Sequence, residues 1–119
     1  MAHEIIKIDG DVITVHIRSV MRFADQKALQ DVAIDFIRRG LYPRVLVIAE
    51  DFEGWEKSEE WGNDDFLLEF GNQIVKIAIV TDERWKDPVL MFTGKGLRST
   101  EIECFDPSSL DAAKQWLRA

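Results

Sequence analysis

The sequence is poor in the residues that do most covalent and metal chemistry. Cysteine occurs once, at Cys104, and histidine twice, at His3 and His16. A single thiol excludes an internal disulfide and any multi-cysteine zinc site. On its alternating strand, Cys104 reads as a small buried hydrophobe rather than a nucleophile. His16 shares a polar strand face with Thr14 and Arg18, which suits a surface histidine better than a general base lacking an orienting partner. No Ser-His-Asp set is indicated, so no catalytic residue is assigned. No apolar run approaches the roughly 20 residues of a membrane span. Met1 to Glu4 lacks the basic and apolar regions of a signal peptide. A soluble, cytoplasmic protein is expected. A phosphate loop is missing too. Gly94-Lys95-Gly96 has neither the Walker spacing nor a hydroxyl residue after the lysine, and it leaves a helix rather than entering one. No cofactor is expected, and Lys86, Lys95 and Arg98 read as solvated loop charges.

A basic excess is also lacking. The net charge is −7, and its distribution is uneven. Between Glu50 and Asp65 there are eight acids against Lys57 alone, so this segment holds the whole excess. Outside it, acids and bases cancel. An acidic surface without a basic stripe disfavours nucleic acid. Glu50, Asp51 and Glu53, with Asp82 ending a neighbouring strand, offer oxygens to a hard cation. They have no calcium-loop spacing, so no metal is expected.

What is present is a regular alternation of strands and helices in 119 residues, enough for one domain over 1–119 with its own core. Ile5 to Ile8 and Val12 to Arg18 flank Asp9-Gly10-Asp11, a hairpin signal. Ile13, Val15 and Ile17 point one way, and Thr14, His16 and Arg18 the other. Asp25 is expected to cap a helix that turns Leu29, Val32, Ala33, Phe36 and Ile37 to one side. Arg38, Arg39, Gly40 and Pro43 end it. Arg44 to Ala49 and Lys76 to Thr81 are unbroken apolar runs, as expected of strands covered on both faces. Ser58, or a point near Asp64, starts a second helix bearing Phe66, Leu67, Phe70 and Ile74. Trp61 and Leu68 extend its apolar face sideways. Asp82, or Asp87-Pro88, starts a short third helix through Val89 to Phe92. Thr100 to Cys104 alternates as a half-exposed strand. Asp106-Pro107 opens a final helix with Leu110, Ala113, Trp116 and Leu117 inward. There is no internal repeat or linker. The order β-β-α-β-α-β-α-β-α predicts an α/β fold, a mixed sheet with helices packed on it.

Three segments carry a family resemblance. They are Asp51-Phe52-Glu53-Gly54-Trp55 after the third strand, Ile77 to Trp85 over the fourth strand and its exit, and Phe105-Asp106-Pro107 through Leu117. Their order and spacing resemble the SpoIIAA-like family, small bacterial proteins related to STAS domains. The resemblance implies a mixed sheet flanked by helices, similar also to Sec14-type lipid-carrier domains. It implies a regulatory or interaction module rather than an enzyme. The anti-sigma-factor antagonists related to it carry a phosphorylatable serine after an aspartate, at the start of the second helix. Here Ser58 follows Lys57 and precedes Glu59 and Glu60, a departure from that pattern. A phosphate on Ser58 would be repelled by Glu56, Glu59 and Glu60.

The aromatics suggest a binding surface. Phe52, Trp55 and Trp61 crowd the acidic segment, and parallel strands would bring Trp85 to the same sheet edge. With Phe66, Phe70, Met91 and Phe92 they are expected to line an apolar cleft under the second helix. Gly54, Gly62 and Gly71 would ease the hinging of that segment. The first functional expectation is therefore a non-enzymatic, carrier-like module for a small apolar or lipid-like ligand. The alternative is a protein–protein interaction module that docks a partner through Asp51 and Glu53, gated at Ser58. Membrane contact is expected to be weak and peripheral, because the acids oppose anionic lipid. The oligomeric state, monomer or homodimer, is left open.

Overall fold

In this computed structural model the described residues are 3–57, 73–93 and 99–119. Strand β1 (His3–Asp9) and strand β2 (Val12–Met21) form the expected antiparallel hairpin. Gly10 sits at its turn with φ +62°, a conformation that glycine adopts without a Cβ penalty. Strand β2 runs on beyond Arg18, where the sequence pattern stops alternating cleanly.

Helix α1 (Phe23–Arg38) begins earlier than its expected cap. Arg22 is the N-cap, and Asp25 stands at the third helical position. The Asp25 carboxylate accepts the Arg22 backbone N–H at 3.0 Å and the Arg22 Nε–H at 3.3 Å. Asp25 therefore serves the reciprocal half of a capping box. It does so while only 1% exposed, next to the guanidinium of Arg22. A second orphan donor, the Phe23 backbone N–H, is taken by Glu56 Oε1 at 2.6 Å from across the fold. The helix ends as expected, with Arg39 as C-cap and Gly40 left-handed at φ +81°.

Strands β3 (Arg44–Trp55), β4 (Lys76–Val80) and β5 (Glu101–Phe105) add to β2 in parallel, in the spatial order β1-β2-β3-β4-β5. A 3₁₀ turn (Glu83–Trp85) with Asp82 at its N-cap leads into helix α2 (Lys86–Thr93). Asp82 stands at the N-cap of the turn without a side-chain cap bond, and α2 starts at Lys86, so Pro88 takes its third position rather than the expected first. A second 3₁₀ turn (Pro107–Ser109) leads into helix α3 (Leu110–Arg118). The expected helix after Ser58 lies in 58–72, outside the described residues.

The sheet packs on both faces. On one face Ile13, Val15, Ile17 and Ile79 form a core with Ala33 and Phe36 of α1 and Val89 of α2. On the other, Leu46, Ala78 and Val80 pack against Ala113 and Leu117 of α3. Leu46 and Leu117 are each only 1% exposed. The apolar runs at Val45 and Ile77 have no polar alternation because both of their faces are covered. His16, expected at the surface, is instead 9% exposed on this second face. Its Nε2 lies 3.4 Å from Glu50 Oε2, and its Nδ1 lies 3.4 Å from an Arg18 guanidinium nitrogen.

Two basic side chains hold α3 to the sheet. Lys76 Nζ donates to the Trp116 carbonyl at 2.9 Å and to that of Ala119 at 3.4 Å, and it sits 4.8 Å from the Trp116 ring centroid. Arg44 donates to the Leu117 carbonyl at 2.6 Å. Both occupy the first positions of parallel strands, where the carbonyl end of α3 arrives. They satisfy orphan carbonyls and complement the negative end of the helix dipole.

The largest departure from the expected layout is in β3. The segment expected as an acidic loop from Glu50 onward is strand as far as Trp55. It pairs with β2 as Arg18 with Glu50, Ser19 with Phe52, and Val20 with Gly54. Asp51 and Glu53 are each skipped, so β3 bulges twice. Asp51 and Ser19, the partner of Phe52, take positive φ, +50° and +56°. Strict alternation from Ala49 would send Phe52 to the α3 face. The first bulge turns Phe52 to the α1 face, and the second returns Trp55 to it. Gly54, expected as a hinge, is instead a buried strand residue at φ +103° beneath Trp85.

Two substitutions test these supports. A Cβ at Gly54 would adopt a strained φ and meet Trp85 Cη2 at 3.3 Å. Gly54→Ala is expected to cost about 1–2 kcal/mol in urea unfolding. Lys76→Met removes charged hydrogen bonds at a site only 8% exposed. It is expected to cost about 1–3 kcal/mol, whereas an exposed Lys114→Met control leaves the midpoint unchanged.

Candidate functional site

The bulged end of β3 meets the exit of β4 in an aromatic cluster. Phe52 is its centre, 4% exposed. The Trp55 ring lies edge-on to it at 5.1 Å, and the Trp85 ring at 5.0 Å. The two tryptophan rings are 6.0 Å apart at 84°, again edge to face. Phe92 of α2 joins from the far side, 4.8 Å from Trp55. Edge-to-face pairs of this kind contribute about 0.5–1.5 kcal/mol each beyond their buried area. Strand β3 supplies two of these rings, the 3₁₀ turn one and α2 one. Parallel pairing of β3 with β4 is what brings Trp85 to them.

The cluster borders a cavity of about 300 Å³ between α1 and the sheet. Val15, Val47 and Ile79 form its floor, and Leu29 and Ala33 of α1 its roof. Phe52, Trp55 and Phe92 close one end. Among the described residues, the polar side chains on the lining are Gln26 and Gln30, one turn apart on α1, and Thr93 of α2. The Thr93 hydroxyl donates back to the Val89 carbonyl at 2.9 Å. Among the described residues, no Asp, Glu, Lys or Arg lines the space. Its volume is about twice that of an engineered apolar cavity that takes up benzene. It falls at the lower end of natural small-molecule pockets.

Of the residues expected at an apolar cleft, Phe52, Trp55 and Phe92 border this cavity. Trp85 packs on Phe52 and Trp55 behind the wall rather than in it. Met91 is a correction. It is 83% exposed and is not part of the wall. Helical steps of about 100° place Val89, Phe92 and Thr93 on the inner side of α2 and turn Met91 outward. Asp51 and Glu53 are exposed at the two bulges. Trp61, Phe66, Phe70 and Ser58 lie outside the described residues, as do Gly62 and Gly71.

Sequence reasoning missed the floor and the polar rim. Val15, Val47 and Ile79 have the signature of ordinary core positions, and nothing in a strand pattern separates a core residue from a cavity floor. Gln26 and Gln30 carried a usable signal. They follow one another at i, i+4 beside the apolar stripe of α1, where amides border buried surface.

Among the described residues, no three His, Cys, Asp or Glu side chains gather as metal ligands would. Cys104 is half-buried beside the core, with its Sγ 3.9 Å from the Lys86 carbonyl. Among the described residues, no helix is long and apolar enough to cross a membrane.

A comparison with curated proteins gave no match. The SpoIIAA-like family model matches residues 12–118, nearly the whole chain. The five-stranded mixed sheet with helices on both faces is the architecture that the sequence resemblance implied. The chain belongs to the SpoIIAA-like family.

Proposed function

We propose that this protein is a non-enzymatic regulatory module that takes up a small apolar, lipid-like molecule between α1 and the sheet. The observation behind this reading is the cavity of about 300 Å³, floored by aliphatic side chains and closed at one end by Phe52, Trp55 and Phe92. Burying apolar ligand surface there yields about 25 cal/mol per Å². Membership of the SpoIIAA-like family favours regulation over catalysis. Uptake of a ligand next to Trp55 gives such a module a state to report.

A second reading rests on the outer side of the same strand end. Glu50, Asp51 and Glu53 are all exposed there, and two of them stand on bulges that push them out of the strand repeat. That acidic edge suits docking of a basic protein partner, as in an anti-sigma-factor antagonist. The two readings are separable by mutation, since the acids lie outside the cavity wall.

The test is a panel of eight- to twelve-carbon apolar compounds followed by melting temperature and tryptophan fluorescence. Ligand at ten times its Kd contributes about 1.4 kcal/mol through linkage, which raises Tm by roughly 5 °C. Ala49→Phe, which fills the cavity from β3, is expected to abolish the shift while the protein stays folded. If both signals stay flat across the panel, the ligand-binding reading fails. Under the second reading, Asp51→Lys with Glu53→Lys abolishes binding to a basic partner and leaves any ligand-induced shift intact.

A further inference from the structure

The floor of the cavity is a hydrogen-bonded sheet and its roof a helix, and neither opens without breaking a backbone ladder. The ends of elements open more easily. At the aromatic end three of them meet: β2 finishes at Met21, α1 begins at Phe23 and β3 finishes at Trp55. All three residues are on the lining.

Glu56, the residue after β3, ties this junction together twice. Its backbone N–H donates to the Met21 carbonyl at 2.9 Å, and its Oε1 accepts the Phe23 backbone N–H at 2.6 Å. The first bond extends the pairing of β2 with β3 by one step. The second is a charge-assisted bond from a side chain to a donor that the helix cannot satisfy itself. Glu56 is half-buried, so water can take over both partners when the carboxylate swings away. The neighbouring bonds between Arg22 and Asp25 stay within the cap of α1 and do not cross to β3, so they do not resist a separation there. Glu56 itself is not on the lining.

We infer that Glu56 is a latch on the aromatic end of the cavity: when it releases the Phe23 N–H, the first turn of α1 parts from the end of β3 and a guest enters or leaves. This rests on the apolar-ligand reading above and adds the control of access to it. Because Glu56 does not touch the guest, its bond to Phe23 is the same with the cavity empty or filled. The latch therefore sets the speed of exchange in both directions and leaves the affinity unchanged.

The test is stopped-flow tryptophan fluorescence of the full chain with 2-decanone, a ten-carbon member of the panel, with Kd measured separately by calorimetry. Glu56→Ala deletes the carboxylate, and Glu56→Gln keeps an acceptor without the charge. Glu56→Ala is expected to raise the association and dissociation rates together, each by at least about tenfold, the worth of one charge-assisted hydrogen bond, with Kd within about twofold of wild type. Glu56→Gln is expected to fall between the two, and it carries the test if Glu56→Ala does not fold. Asp111→Asn, which removes an exposed carboxylate on α3, controls for net charge and is expected to leave both rates unchanged. Unchanged rates in both Glu56 variants, with 2-decanone still bound, overturn the latch and leave the cavity reading standing. A rise in the dissociation rate alone, with Kd weakened to match, overturns it too, because Glu56 would then support the filled state rather than gate it. If neither 2-decanone nor any other member of the panel binds the wild type, both readings fall.

Discussion

Everything at the candidate site depends on how β3 pairs with β2 beyond Arg18. Up to Glu50 the two strands run in simple parallel register. Then β3 spends two extra residues, Asp51 and Glu53, against a β2 that spends none. Each extra residue inverts the side-chain alternation, so Phe52 and Trp55 both face α1 and the cavity. Remove the bulges and Phe52 moves to the α3 face, leaving Trp85 without its centre. The strained φ values at Asp51, Ser19 and Gly54 belong to this one device. Such strain persists only where surrounding packing over-determines it, and the four-ring cluster supplies that packing.

The two faces of the sheet then divide the work. The α3 face buries Leu46, Ala78, Ala113 and Leu117 almost completely, and Lys76 and Arg44 fix the carbonyl end of its helix. The α1 face has the same kind of aliphatic residues, yet it leaves a space beside the aromatic end. A cavity forfeits dispersion contacts on its walls and so weakens the fold. One closely packed face, with a clamped helix, lets a small domain tolerate an open one. The buried capping box at Asp25 and the Glu56 bond to Phe23 serve the same end. They anchor the first turn of α1, the helix that roofs the space, to its own cap and to the residue that follows β3.

Much of this fold could be read from the chain. The 3.6-residue spacing from Leu29 to Ile37, the glycine stop at Gly40, and the apolar runs at Val45 and Ile77 declared their elements outright. Family resemblance and element order point to the same mixed sheet. Boundaries were harder where two signals competed. Asp25 looks like a cap, but a capping box also puts an acid three residues inside the helix. The site was legible as a group of aromatics but not as a geometry. Glu50 to Trp55 looks like a loop because its acids, its glycine and its large rings break the strand period. A double bulge breaks that period too, and only the pairing with β2 distinguishes the two. Met91 failed for a simpler reason: four apolar residues in a row cannot all face inward on a helix. His16 failed because neighbouring strands and Glu50 cover it, which alternation within β2 does not reveal.

The central claim is that the space between α1 and the sheet receives an apolar guest. Methyl-resolved NMR with 2-decanone tests it most directly. Intermolecular NOEs are predicted from the ketone to the methyls of Val15, Val47 and Ile79, with none to the exposed methyl of Met91. NOEs from those three valine and isoleucine positions to the protein's own protons alone, under saturating ketone, would contradict the account.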